Sequence, residues 1–179
     1  MDFYLLMKNR GKVNIDTAYY LYNNSASIIS TINSNNNYYN NKLQNEDINH
    51  IIIGRWYYGL FLIAKDYLIN NLNYIANCRE KNKCKFYDMQ NNTSCIAQCL
   101  KHKGYTSKKY NIHIESIWNI LANMSSIKNK KLFGSNGKEL AKLREKYEYF
   151  GVVCNFNTLK IAKSYFENIR KEYKNAKII

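Results

Sequence analysis

Arg55 is the one charged residue in a fourteen-residue stretch, 51–64, where apolar side chains hold nearly every position. On a helix it shares a face with Ile51, Ile52, Tyr58 and Leu62. A guanidinium in such a place must find a carboxylate, several carbonyls or a phosphate, because an unpaired buried charge costs several kcal/mol. Two partners are open to it: an ion pair with Glu145 or Glu148, or an anion held in a cleft. A second group with chemical potential is Arg144, followed by Tyr147 and Tyr149. An arginine fork stabilises charge developing on a phosphate. A tyrosine with its ordinary pKa of ~10 is a poor general base at neutral pH, yet it can orient a phosphate or donate a proton.

Cysteine and histidine offer a different chemistry. Four of the five cysteines, Cys78, Cys84, Cys95 and Cys99, lie within one segment that also holds His102, while Cys154 stands apart. The spacings C-x5-C and C-x3-C-x2-H could supply soft ligands to zinc and stiffen a segment with little core of its own. No C-x2-C is present, so free thiols without metal are the expected state, and a zinc-stabilised nucleic-acid binder is the rival reading. His50 and His113 are the remaining histidines, each expected to serve as a cap or a core hydrogen-bonding group.

The elements that must position these residues follow from composition and periodicity. The chain has 179 residues, no proline and only seven glycines, which leaves too little turn punctuation for a sandwich or barrel. With 46% apolar residues it has the material for a single core. Apolar spacing predicts helices at 14–32, 46–76, 112–127, 138–150 and from Asn157 or Thr158 onward, where Leu159, Ala162, Phe166, Ile169 and Tyr173 form a stripe. Gly134 and Gly137 are expected to precede the fourth helix and Gly151 to end it. The Asn-rich tract 33–41 reads as a loop, and 77–109 as a basic, Cys-containing insertion. The sum is an all-α domain, an up-and-down bundle of four to five helices over 1–179.

Charge narrows the class of partner. Basic residues outnumber acidic ones 27 to 13, for a net charge of +14. Asn, Ile, Lys and Tyr dominate the composition, as AT-rich coding would make them, so lysine excess alone is a weak signal. The clustering adds to it: 79–109 carries eight basic and two acidic residues, and 128–146 seven and two. Lys101, Lys103, Lys108 and Lys109, with His102 among them and Tyr105 and Tyr110 interleaved, suit RNA. No stretch reaches the ~18 uninterrupted apolar residues of a membrane span, and no segment reads as a secretory signal. A cytoplasmic protein that does not enter membranes is expected.

The segment Gly54-Arg-Trp-Tyr-Tyr-Gly-Leu-Phe-Leu-Ile-Ala-Lys-Asp-Tyr-Leu68 resembles the R-x-Y-Y-x-x-F-x-x-A-x-x-x-L helix of the HEPN superfamily, through Arg55, Tyr57, Tyr58, Phe61, Ala64 and Leu68. In the same order, Leu143-Arg-Glu-Lys-Tyr-Glu-Tyr-Phe-Gly-Val152 is similar to that family's second conserved segment, which precedes its closing helix. The resemblance implies a small helical domain of prokaryotic toxin-antitoxin, abortive-infection or CRISPR systems, one that dimerises and contacts RNA. It also implies a site built on Arg144, Tyr147 and Tyr149 and bordered by Arg55 and Tyr58. Catalytic members cleave RNA without metal, using an arginine and, four to six residues later, a histidine, with the 2'-hydroxyl as nucleophile. Here Tyr147 stands where the histidine belongs, and no histidine follows His113. The resemblance therefore leaves two expectations: an RNA-interacting protein with a degenerate nuclease motif, or a noncatalytic module that binds a protein partner of the same defence system.

Overall fold

A computed structural model describes residues 3–35, 42–70, 112–150 and 152–179. Among them are five α-helices, α1 (Phe3–Asn35), α2 (Asn49–Asn70), α3 (Ile112–Ala122), α4 (Lys130–Tyr149) and α5 (Phe156–Asn175), with a 3-10 turn at Asn45–Ile48 ahead of α2. There is no strand among the described residues, and no helix there is long and apolar enough to cross a membrane. The basic, Cys-containing insertion lies outside the described residues.

The all-α bundle expected from the sequence is the fold. Helix α2 is its axis, touching α1, α3, α4 and α5. Facing pairs give the directions. Gly59 of α2 meets Gly11 and Ile15 of α1, Trp118 of α3 meets Gly137 of α4, and Phe133 and Tyr147 of α4 meet Tyr173 and Thr158 of α5. With Gly11 also meeting Ile63 and Gly134 meeting Ala122, rising residue numbers on one helix meet falling numbers on the other, so α1 and α2, α3 and α4, and α4 and α5 run antiparallel. Helices α2 and α5 run parallel, Trp56 meeting Phe166 and Leu60 meeting Tyr173. The core is built on Trp56, Trp118, Phe133, Phe166 and Tyr173, all fully buried. Trp56 stacks on Phe166 with centroids 5.3 Å apart, and the Tyr173 hydroxyl donates to the Leu60 carbonyl at 3.2 Å. The stripe Leu159, Ala162, Phe166, Ile169 and Tyr173 is the buried face of α5, as its spacing predicts.

Several boundaries differ from expectation, each for a local reason. Helix α1 starts well before residue 14 because Met7 and Gly11 continue its buried side along α2. It bends at Asn24 (φ −119°, ψ 15°), whose amide donates to the Tyr20 carbonyl one turn back, a contact that tends to bend helices. The helix runs through Asn33 to Asn35. Asn33 then clamps Leu43, donating to its carbonyl at 2.9 Å and accepting its N–H at 2.8 Å. Helix α3 stops at Ala122, ahead of a turn that buries Ile127.

The largest correction concerns Gly134 and Gly137, which lie inside α4 rather than before it. Asn129 caps that helix, its side-chain oxygen accepting the Leu132 N–H at 3.2 Å. A Cβ on Gly137 would sit 2.3 Å from the Trp118 ring, so this glycine is the seat of a tryptophan and not a turn residue. Asn155, rather than Asn157 or Thr158, caps α5, accepting the Thr158 N–H at 2.9 Å. The same helix ends in a Schellman turn. Lys177 has φ 57°, and the Ile178 N–H bonds the Tyr173 carbonyl at 2.8 Å.

At the α1–α2 crossing two backbones come close: a Cβ on Gly59 would lie 2.5 Å from Ile15 Cγ1 and 2.9 Å from the Gly11 carbonyl oxygen. Gly59→Ala should lower stability by ~1–3 kcal/mol through overpacking, despite the gain in helix propensity. Gly134→Ala has room, with its nearest neighbour, Ala122 Cβ, at 3.6 Å, and should raise stability by up to ~1 kcal/mol. Thermal melts followed by circular dichroism check both, and opposite signs are expected.

Candidate anion site around Arg144

Helix α4 carries Arg144 in its last two turns, facing α2. The residue is only 7% exposed, the one buried arginine among the described residues. Three groups hold its guanidinium. Nε donates to the Glu148 carboxylate one turn along α4, and Nη2 donates to the hydroxyls of Tyr58 on α2 and Tyr149 on α4. Aromatic faces surround the same cation, at 4.5 Å from the Tyr149 ring centroid, 4.7 Å from Tyr58 and 5.6 Å from Tyr57. Tyr57 is the buried floor, packed against Phe61 and Trp118. Tyr149, 62% exposed, is the outer wall.

Electrostatics keep Arg144 charged and the two inner phenols, Tyr57 and Tyr58, neutral. Burial opposes the charge on Arg144, but Glu148, by charge and by hydrogen bond, outweighs it, and the guanidinium stays firmly protonated. Burial, helped by a hydrogen bond with Tyr149 and opposed by Arg144, pushes the Tyr58 phenol up to about 12. Burial drives Tyr57 further in the same direction. At neutral pH these phenols are donors and not bases. An N–H donated into a phenol oxygen polarises its O–H, so the cluster presents a cation and, since one phenol proton is engaged in the Tyr58–Tyr149 hydrogen bond, one free hydroxyl proton to an approaching anion.

The structure brings together Arg144, Tyr58 and Tyr149, three of the residues singled out in the sequence, and separates two others from them. Tyr147 turns to α5, where its hydroxyl lies 3.4 Å from Thr158 Oγ1 and its ring is buried. On α4 it is three residues from Arg144, and that side of the helix faces α5. Arg55 is exposed, and its Nη1 donates to Asn14 Oδ1 at 2.9 Å. The expected buried cation with a Glu145 or Glu148 partner is therefore Arg144 and not Arg55. Ile51 and Arg55, one turn apart, form the outer edge of α2, while Ile52, Ile53, Trp56, Tyr57 and Leu60 face inward. Lys101, His102, Lys103, Lys108 and Lys109, with Cys78, Cys84, Cys95 and Cys99, lie outside the described residues. Cys154 is buried, and burial pushes its thiol up to about 11. His50 is half-buried beside Asn49, whose amide donates to the Cys154 carbonyl at 2.7 Å. Among the described residues no group of three or more His, Cys, Asp or Glu side chains is placed to hold a metal ion.

Glu148 as the partner of Arg144 is legible in the i, i+4 spacing. Tyr57 had a motif position but no role, because its part in the site depends on how α2 is rotated against α4. No family model, no curated protein and no solved structure matches this chain.

Arg144→Ala should cost roughly 2 kcal/mol, the scale of hydrogen bonds to a charged group, whereas Glu148→Gln should cost less because that carboxylate is partly solvated. Urea denaturation of both variants checks the order. A second outcome concerns alkaline pH. Phenols whose folded pKa is raised stabilise the fold below the unfolded value of ~10, and that contribution is lost as pH climbs towards the folded value. Tyr58 and Tyr19, both raised to about 12, place the loss between pH ~10 and 12. Phenolate absorbance and circular dichroism followed together should show late ionisation coinciding with loss of structure.

Proposed function

We propose that this chain is a HEPN-like, RNA-contacting protein of a prokaryotic or phage conflict system, and that Arg144, Tyr58 and Tyr149 contact a backbone phosphate. The observation that carries the reading is a nearly buried arginine, walled by aromatic rings, whose two phenol partners include one open to solvent, on a chain of net charge +14. A structural ion pair alone needs only Glu148. The additional hydroxyls make a donor set that matches phosphate oxygens. The homodimer and the partner protein of the same system, expected from the family resemblance, belong to this proposal, as does a cytoplasmic location.

Within it the noncatalytic form is favoured. Tyr147, which stands at the histidine position of the motif, is engaged with Thr158, and Tyr58 keeps its proton to about pH 12. Neither serves as a general base for a 2'-hydroxyl at neutral pH. Tyr149 is the residue through which a nuclease would act, as a proton donor to the leaving oxygen while Arg144 stabilises the phosphate. That is the second reading.

Binding to a single-stranded RNA should weaken steeply with salt, and Arg144→Ala should reduce the slope of log K against log salt by about 0.7–1, the contribution of one phosphate contact. Tyr149→Phe should weaken binding without changing the slope. Fluorescence anisotropy at several salt concentrations checks both, and absence of binding at low salt would transfer the site to the partner-binding module. RNA is expected to remain intact. Cleavage that resists chelators, leaves a cyclic phosphate and disappears in Arg144→Ala would establish the nuclease instead.

A further inference from the structure

The connection between α4 and α5, residues 150–155, turns the chain back at one end of the bundle. Phe150 and Val153, 71% and 70% exposed, are the most exposed large apolar side chains among the described residues, and Tyr149, Val152 and Phe156 are exposed beside them in the chain. Single apolar residues on a surface are ordinary, but so many within one turn of chain form a patch that asks for a partner. The patch has no route back into the core. Between Val153 and Phe156, Cys154 is buried, its carbonyl accepts the Asn49 amide of α2 at 2.7 Å, and Asn155 is committed to capping α5. The connection is thus fastened by the residues between its apolar side chains, which keeps those side chains in water.

Charge is arranged around the patch. From Tyr149 to Leu159 the chain has no charged side chain, and the next carboxylate after Glu148 is Glu167. Lys160 holds its ammonium 4.6 Å from the Phe156 ring centroid, and Lys146 stands one turn before Phe150. Both lysines are exposed, and neither pairs with a carboxylate among the described residues. Of the two acids that precede the patch, Glu148 is held by Arg144 and Glu145 faces solvent. An uncharged aromatic and aliphatic tip, flanked by lysines on a chain of net charge +14, matches an anionic lipid surface. We propose that the α4–α5 connection docks this protein on an anionic bilayer, with Phe150 and Val153 inserted at the boundary of headgroups and acyl chains and Lys146 and Lys160 at the lipid phosphates. The contact is with one leaflet and involves no crossing, for which no described helix is long and apolar enough. A two-fold contact with a second copy would set these lysines against themselves on chains of like charge. A protein partner would need a hollow shaped to the projecting turn, and a fluid bilayer needs none. The proposal does not rest on the reading of the Arg144 cluster.

Co-sedimentation with vesicles of phosphatidylcholine, alone or with roughly a third phosphatidylglycerol, tests it. Binding to the anionic vesicles is expected, with little to the neutral ones, and added salt should weaken it without abolishing it. Phe150→Ser combined with Val153→Ser should weaken binding about tenfold or more at an unchanged melting temperature, since neither side chain belongs to the core. Lys146→Glu combined with Lys160→Glu should also weaken it, through the charge contribution. Val13→Ser, an exposed apolar position on α1, should bind as the parent does. Phe150→Trp should add an emission that shifts to the blue with anionic vesicles, Trp56 and Trp118 being buried already. Absence of binding to anionic vesicles would leave the face to a protein partner, and binding that the Phe150 and Val153 changes do not alter would mark adsorption by another surface; either overturns the proposal, as does an unshifted Phe150→Trp emission. Analytical ultracentrifugation without lipid covers the remaining occupant. A dimer that these same two changes dissociate would give the face to a second copy and overturn the proposal, whereas a dimer that survives them uses another face and supports it.

Discussion

A helix with apolar side chains around most of its circumference has to be surrounded, and every other helix of this bundle is placed by the need to enclose α2. Trp56, Leu60 and Ile63 remove one side of it from water and Ile52, Tyr57 and Ala64 an adjoining one, leaving Ile51 and Arg55 as its outer edge. Surrounding a helix so closely limits side-chain volume at the contacts, which is why glycines sit at 11 and 59, where two backbones come within reach of each other. Because α4 is pressed onto the same helix, a polar group on its inner side has no water and must bring its own partners. The arrangement of Arg144 follows from that constraint: a carboxylate from one turn away, a phenol from across the interface and another from the end of its own helix.

Much of this architecture was legible in the chain. The closing stripe of α5 and the central place of α2 follow directly from 3.6-residue periodicity. Glycine was the source of the principal misreading. Between polar residues, Gly134 and Gly137 look like the start of a connection, and only the position of the Trp118 ring shows that a missing Cβ is a packing feature. Arg55 misled for a related reason. A charge amid apolar neighbours reads as buried when the sequence alone is considered, but a helix has an outer edge even at the centre of a bundle, and Ile51 shares that edge with it. Which arginine is buried depends on the rotation of α2 against α4, which is a tertiary quantity.

The two polar places on α4 differ in how completely the protein answers its own buried groups. Around Arg144 the donors and acceptors are matched within the chain, so an incoming anion adds to an assembled cluster and competes chiefly with Glu148. At Asn136 a buried donor is left without an answer, a cost that the rest of the packing has to offset. One helix thus combines a matched polar cluster near its end with an unmatched amide nearer its beginning, beside the Gly137 contact that holds it against α3.

The clamp between Asn33 and Leu43 separates the placing of α1 and α2 from the length of chain that joins them. Two hydrogen bonds from one side chain join the end of α1 to the approach of α2 and make a closed ring of the backbone between them. The register of the two helices is then set by the clamp and the glycine crossing, and the number of residues inside the ring is left almost free, since lengthening such a loop adds only slowly to its closure entropy.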